Sequence, residues 1–190
     1  VHLTHCRQGA QGVGSHLDYL GLVEDARARG MDVTFDCYTY PYSGTTITIG
    51  FPHWAKDGGP ERLKEALGST DERARLSEEM STSTRGRNIS EEWLTHFRKP
   101  HNKQYEGHSL AEIALMLGQD EIDVFFDLLL DENLGICVVA VGTNPLTLPA
   151  FVAHQYGMIG SDAILLGEYP SPRTYGSFPV ILAEFVRAEK

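Results

Sequence analysis

The first 37 residues switch between strand and helix patterns, and this order constrains the fold more than any other feature of the sequence. Val1-His2-Leu3-Thr4 alternates apolar and polar side chains, which predicts a strand already under way at the first position. A glycine-rich turn leads to Ser15, the predicted N-cap of a helix that ends near Gly30. Residues 31–37 are rich in β-branched and aromatic side chains and predict a second strand. Strand, helix and strand in this order favour an α/β fold with a parallel sheet.

Regular segments return after a long irregular stretch. Residues 46–107, with a heavily charged helical segment at 60–80, are interpreted as an insertion or small subdomain between β/α units at 1–45 and 108–190. After it, one helix is predicted to begin at a Ser109–Glu112 capping box and another at Asp120. An apolar run at 136–141 predicts a strand buried on both faces, as in a parallel sheet. The remaining predictions are a helix start at Asn144-Pro145, a short strand at 157–160 and a helix at 175–190.

The amino-acid composition limits the kinds of molecule that the chain is expected to bind. The chain has 190 residues and 42% hydrophobic side chains, enough to form a core. Sixteen Lys and Arg against 26 Asp and Glu give a formal net charge of −10, which argues against a nucleic-acid-binding domain or a polybasic membrane anchor and favours small molecules or protein as partners. No apolar run approaches the roughly 20 residues of a membrane span, and the start lacks a signal-peptide pattern. Cys6, Cys37 and Cys137 are far apart and predict free thiols in the cytoplasm.

Two residues follow predicted strands at positions suited to chemistry. His5 ends the first strand, and Asp162 follows the strand at 157–160. Ligands of α/β folds bind at the carboxyl ends of parallel strands, so the pair could share a site. An imidazole is a common zinc ligand, and a carboxylate can bind a metal or carry a proton. A histidine bonded to a backbone carbonyl and an N-capping aspartate remain the alternatives.

Two further segments could bind a substrate. Arg173 lies between prolines and glycines soon after Asp162, and a guanidinium can hold a carboxylate through two parallel hydrogen bonds. Residues 36–46 place three tyrosines and several hydroxyls after the second strand, which suits a polar pocket. A surface arginine without a partner and ordinary tyrosine packing are the alternatives.

Five segments, in order along the chain, resemble the N-acyl-D-amino-acid deacylases (D-aminoacylases) of the amidohydrolase superfamily, which are metal-dependent hydrolases built on a (β/α)8 barrel. The matching segments are residues 3–7, 36–46, 105–114, 160–162 and 172–179. The resemblance implies that the chain contributes to a zinc enzyme, with one or two ions, that hydrolyses the amide bond of N-acyl-D-amino acids.

The resemblance also implies roles for single residues. His5 corresponds to an isolated zinc ligand, and Asp162 to the catalytic aspartate that contacts the metal and carries protons. Arg173 corresponds to the arginine that binds the substrate carboxylate and Tyr38 to a tyrosine that binds the substrate carbonyl, while Thr45 stands near a substrate-binding serine.

The sequence departs from the family pattern at two substrate-site positions, and several metal ligands of the family have no counterpart in it. Arg7 takes the place of a lysine among the substrate-binding residues, and Ser171 stands where many members have a histidine. The family's His-x-His pair, its Cys or carboxylated Lys ligand and its other isolated histidine would precede residue 1. We therefore expect the C-terminal part of a barrel, without the terminal β-domain, that is inactive alone, since a complete barrel needs about 250 residues.

Two other functions remain open from the sequence. One is a cyclic-amide hydrolase of the hydantoinase or dihydropyrimidinase type, against which Arg173 argues because a ring imide carries no carboxylate. The other is a non-catalytic α/β module that binds a partner through the charged stretch at 60–103.

Overall fold

The computed structural model describes residues 1–10, 12, 14–81 and 89–187. The strands are β1 (His2–Leu3), β2 (Thr34–Cys37), β3 (Tyr42–Thr46), β4 (Trp93–Thr95), β5 (Cys137–Val141) and β6 (Gly157–Ile159). The α-helices are α1 (His16–Ala28), α2 (His53–Lys56), α3 (Gly59–Gly68), α4 (Thr70–Ser81), α5 (Leu110–Leu117), α6 (Glu121–Asp131), α7 (Leu148–Val152) and α8 (Arg173–Val180). Within the described residues, no helix is long and apolar enough to cross a membrane.

The chain divides into two compact units. The first comprises Val1–Ser43, Val141–Leu165 and Ser171–Lys190, and the second comprises Gly44–Ala140 and Leu166–Pro170. The predicted insertion at 46–107 falls inside the second unit, but that unit extends to Ala140. The reason is that α5 and α6 bury their apolar faces in the same core as α3 and β4.

The first unit contains a parallel sheet in the order β1-β2-β6. The helix α1 connects β1 to β2, so the predicted strand, helix and strand are confirmed. Ser15 caps this helix as predicted, because its side chain accepts the Leu17 N–H while Asp18 completes a capping box. Phe35, Cys37 and Phe151 pack against the apolar face of α1. The three strands therefore end at one edge of the sheet, where the candidate site lies.

The second unit holds the larger apolar core and most of the residues of a sheet in the order β3-β5-β4. The predicted strand at 136–141 forms as β5, but it pairs antiparallel with β4 and lies outside the parallel sheet. The expectation of a parallel neighbour was wrong because an apolar run signals burial on both faces and carries no information on strand direction. The predicted capping box of α5 and the Asp120 cap of α6 are both confirmed.

Two helices begin at residues other than those predicted. Asn144 forms a turn, with its side chain accepting the Leu146 N–H, and α7 begins only at Leu148. The last helix, α8, begins two residues earlier than predicted and continues as a wider π-helical turn at Ile181–Val186. Pro179 lacks the N–H that a regular helix needs, which accounts for a change of hydrogen bonding at this point. Residues 188–190 of the predicted helix lie outside the described residues.

Candidate active site

The carboxyl ends of three parallel strands bring four predicted site residues together in the first unit. His5 follows β1, Tyr38 follows β2, and Asp162 follows β6. Arg173, at the start of α8, joins them. Since parallel strands point the same way, their ends present these side chains at one edge.

Asp162 is the centre of this cluster. Its Oδ2 atom accepts a hydrogen bond from the Tyr38 hydroxyl at 2.8 Å and another from Arg173 Nη2 at 2.7 Å. His5 Nε2 lies 3.8 Å from the same oxygen. Tyr38 and Arg173 are buried, whereas the side chains of His5 and Asp162 are 44% and 38% exposed. Two buried donors thus hold the accessible Asp162 carboxylate beside the accessible His5 ring.

Backbone conformation contributes to this geometry. His5 and Asp162 both have positive φ values, 62° and 43°, in the left-handed region that residues with a Cβ rarely adopt. Non-glycine residues in this region concentrate at functional sites. Both members of the exposed pair therefore depend on the surrounding structure to hold them in place.

Cations surround the tyrosine ring. The guanidinium carbon of Arg173 lies 4.3 Å, and that of Arg7 4.9 Å, from the centre of the Tyr38 ring, both within cation–π range. Burial, followed by the hydrogen bond to Asp162, raises the pKa of Tyr38 to about 12. The hydroxyl therefore keeps its proton at neutral pH and acts as a donor.

The residue types at the exposed pair are those that zinc binds. Zinc takes imidazole nitrogen and carboxylate oxygen at roughly 2.0–2.2 Å each, so a His5 nitrogen and an Asp162 oxygen 3.8 Å apart could contact one ion. Over the described residues, no group of three or more His, Cys, Asp and Glu is arranged to hold a metal. The pair fits zinc as two of the ligands that a catalytic site requires.

The other predicted residues have mixed surroundings. Arg7 is partly buried and donates to the His5 carbonyl at 3.3 Å. Ser171 is buried, and its hydroxyl has no hydrogen-bond partner within the described residues. The carboxylate that Arg173 binds in this structure is that of Asp162. Thr45 lies partly buried in β3 of the second unit.

Sequence reasoning missed one residue of this site. The Asp36 carboxylate accepts the backbone N–H of His5 at 2.9 Å and bonds to the His2 ring at 3.0 Å. Burial raises the pKa of Asp36, but the hydrogen bonds from His5 and His2 outweigh it and hold the pKa below its usual value. The only sequence signal was its position, one residue before the end of β2.

Comparison with known proteins agrees with the fold and with the family resemblance. No family model matches the sequence. The chain is 29% identical over 168 residues to the N-acyl-D-glutamate deacylase of Alcaligenes xylosoxydans xylosoxydans, which covers 88% of this chain and 26% of that protein. This chain therefore spans about a quarter of that relative's length.

Solved structures give the same picture of the fold. An N-acyl-D-glutamate deacylase from Bordetella bronchiseptica, complexed with zinc and a phosphonate inhibitor that mimics the tetrahedral intermediate, matches with a TM-score of 0.65 and 23% identity over 99% of this chain and 31% of its own. A D-aminoacylase described as defining a novel subset of amidohydrolases matches with a TM-score of 0.62 and 21% identity, over 100% of this chain and 31% of its own. The resemblance drawn from the sequence is confirmed: over 88% of its length the chain is similar in sequence to an N-acyl-D-glutamate deacylase, and its fold is similar to those of N-acyl-D-amino-acid deacylases.

Proposed function

We propose that this chain forms part of the active site of a zinc-dependent amidohydrolase that releases D-amino acids from their N-acyl derivatives. The observation that carries the proposal is the exposed pair of His5 and Asp162 at the ends of parallel strands, in which buried Tyr38 and Arg173 hold the carboxylate. Its N-acyl-D-glutamate deacylase relative supports the class of reaction. We further propose that the β1-β2-β6 sheet, with α1 and α7, belongs to a (β/α)8 barrel.

Asp162 is the proposed proton carrier. Its carboxylate takes a proton from the attacking water and returns it to the nitrogen of the departing amino acid. Two hydrogen bonds on one oxygen fix the orientation of the carboxylate. His5 and Asp162 are the residues here that would hold zinc, which when bound supplies Lewis acidity toward the amide carbonyl and toward water.

Tyr38, Arg173 and Arg7 are the proposed substrate contacts. The Tyr38 hydroxyl stays protonated at neutral pH and donates its single O–H to Asp162 in this structure; when substrate binds, it would donate instead to the carbonyl oxygen of the scissile amide. Two guanidiniums lie beside its ring, that of Arg173 paired with Asp162, and they place cationic donors where an anionic group of the substrate could bind in a chain of net charge −10. A substrate-binding role for Thr45 is proposed on the family resemblance alone.

A substrate panel tests the proposal. The chain, and the longest polypeptide that its reading frame encodes, are supplied with zinc and offered N-acetyl-D-amino acids, their L-enantiomers and the cyclic amides hydantoin and dihydrouracil. The expected result is release of free D-amino acids by the longer polypeptide without ring opening, with little or no turnover by the 190-residue chain alone. Ring opening by the longer polypeptide in place of deacylation would favour the cyclic-amide hydrolase. Bound zinc without turnover of any substrate by the longer polypeptide would favour a binding module.

A further inference from the structure

A hydrogen-bonded chain of polar side chains runs beside the exposed pair and ends on the backbone of His5. Thr34 Oγ1 bonds to His2 Nδ1 at 2.8 Å, and His2 Nε2 bonds to Asp36 Oδ2 at 3.0 Å. The other oxygen, Asp36 Oδ1, accepts the N–H of His5 at 2.9 Å. Each oxygen of the Asp36 carboxylate thus has a separate partner, which fixes the side chain in one orientation.

The backbone conformation of His5 depends on its hydrogen bond to Asp36. A φ of 62° is disfavoured for a residue with a Cβ, so His5 adopts it only where other interactions hold it. Asp36 supplies two of them: its side chain accepts the His5 N–H, and its carbonyl accepts the next amide, that of Cys6, at 2.8 Å. A hydrogen bond to a carboxylate is also stronger than one to a neutral acceptor. The direction of the His5 imidazole therefore depends on Asp36.

Asp36 also lies against the segment that leads to Asp162. A Cβ added to Gly160 would lie 3.3 Å from Asp36 Oδ1, and the Gly160 N–H bonds to the Cys37 carbonyl at 3.0 Å. Gly160 precedes Asp162 by two residues. The same carboxylate is therefore packed between the two segments that carry the exposed pair.

We propose that Asp36 is a positioning residue, whose carboxylate holds the His5 backbone in the left-handed conformation and so aims the imidazole toward Asp162. His2 and Thr34 support it by fixing the orientation of that carboxylate. The inference rests on the proposed function, in which His5 binds the metal, and it names the residue that sets the geometry of that ligand.

The test compares two substitutions of Asp36 in the 190-residue chain. Asp36→Ala removes the acceptor, whereas Asp36→Asn keeps an oxygen for the His5 N–H and offers an amide to His2. Asp32→Ala is the matched control, because Asp32 is an exposed carboxylate of the same unit that pairs with Arg27. The measurements are hydrogen exchange of the His5 amide by NMR without metal, and zinc affinity by competition with a chromophoric chelator.

We expect Asp36→Ala to lower protection of the His5 amide by about 10-fold or more, because the amide loses a hydrogen bond to a charged acceptor. Zinc affinity should fall by about 10–100-fold, the usual cost of losing a group that orients a metal ligand. Asp36→Asn should retain both within about 3-fold, and Asp32→Ala should leave both unchanged. Wild-type protection of the His5 amide in a folded Asp36→Ala chain would overturn the inference.

Two further outcomes separate the inference from the proposed function. If neither the wild-type chain nor the longest polypeptide that its reading frame encodes binds zinc, but Asp36→Ala still loses His5 protection, the metal role fails and the positioning role stands. If Asp36→Ala does not fold, His2→Phe replaces it, since it removes the support of Asp36 and leaves the bond to His5 possible. That variant should lower His5 protection by about 3-fold on the same reasoning, and unchanged protection would contradict the inference.

Discussion

Two buried glutamates of the second unit and Asp162 of the first unit use their carboxylates in different ways. In the second unit, buried Glu132 accepts two successive backbone amides, and buried Glu106 accepts two other backbone amides. In the first unit, Asp162 accepts its hydrogen bonds from the side chains of Tyr38 and Arg173 and stays accessible to solvent. A carboxylate that binds backbone amides stabilises a turn, whereas an accessible one held by side chains is available for chemistry.

The hydrophobic cores of the two units also differ, in the number of buried residues that they contain. Twenty buried apolar residues form the core of the second unit and six form that of the first, among the residues that the structure describes. The first unit has less apolar packing and places titratable side chains at its strand ends. The comparison predicts that substitutions in the first unit change activity most and those in the second change stability most.

The largest expected effect is the loss of turnover in Asp162→Asn. The amide cannot take up a proton as the carboxylate does, so deacylation should fall by about 10²–10⁴-fold, the usual contribution of a general acid and base. Initial rates with the best N-acetyl-D-amino acid of the panel measure it, and Asp32→Asn, an exposed substitution in the same unit, is the control. Turnover within a few-fold of wild type would remove Asp162 from the chemistry.

Phe125→Ala should have the largest effect on stability. Phe125 is fully buried and stacks on Phe51 with ring centroids 5.7 Å apart, so its truncation should lower the free energy of unfolding by about 3–5 kcal/mol. Urea unfolding followed by circular dichroism measures the change. Leu115→Ala, at an exposed position of α5, should stay within about 0.5 kcal/mol. Equal losses in the two variants would show that this core does not dominate stability.

Removing the buried carboxylate of Glu132 should lower stability by less than Phe125→Ala does. Glu132→Ala leaves two backbone amides, those of Arg98 and Lys99, without their acceptor and should lower the free energy of unfolding by about 1–3 kcal/mol. The exposed pair of Glu61 with Lys64 offers a control, because Glu61→Ala should change stability by less than about 1 kcal/mol. Turnover per folded molecule should be unchanged, and a large loss there would break the division between the units.

Local structure was predictable from sequence because its causes are local. Ser15, Ser109 and Asp120 cap helices as predicted, since a capping side chain bonds to amides only two or three residues away. The antiparallel pairing of β5 was not predictable, because strand direction depends on a partner more than 40 residues away in the sequence. The packing of α5 and α6 in the core of the second unit was not predictable for a similar reason, since both were identified as helices without their packing partners.

The candidate site was predictable only in part. Strand-end positions, together with the family resemblance, selected four residues that the structure brings together. The bond between Arg173 and Asp162 was not foreseen, because each was considered as a group that contacts ligand. Asp36 was missed because its contact requires a left-handed His5, and nothing in the sequence marks a histidine for that conformation.

The helix caps provide a comparison in which the two units should behave alike. Ser15 and Ser109 each form a capping box, one in each unit. Ser15→Ala and Ser109→Ala should each lower the free energy of unfolding by about 1 kcal/mol, since each removes one acceptor from a helix N-terminus. Urea unfolding measures both, with Ser→Thr at each position as the control that retains a hydroxyl. A clearly larger loss of stability at one of the two positions would show that tertiary packing, and not the local capping bond, determines the effect there.

The smallest expected effect is also the sharpest test of the comparison. Asp131, in the second unit, binds the side chains of Lys99, His101 and Asn102 and is partly exposed, which makes it resemble Asp162. The bonds from Lys99 and His101 lower the pKa of Asp131 to about 2. Because the folded-state pKa lies below the unfolded one, the stabilisation is present above about pH 4 and is lost as the pH falls through about 2.

Asp131→Asn should therefore flatten the acid limb of the stability curve between about pH 4 and 2, measured by urea unfolding at a series of pH values. Its effect at neutral pH should be below about 1 kcal/mol, because the carboxylate lies at the surface. Turnover should not change, since all three partners come from one segment, at 99–102, and hold that turn against the end of α6. A loss of activity would mean that bonding to side chains and exposure do not distinguish catalytic from structural carboxylates. In that case, the left-handed backbone and the strand-end position of Asp162 would be the features that mark its role.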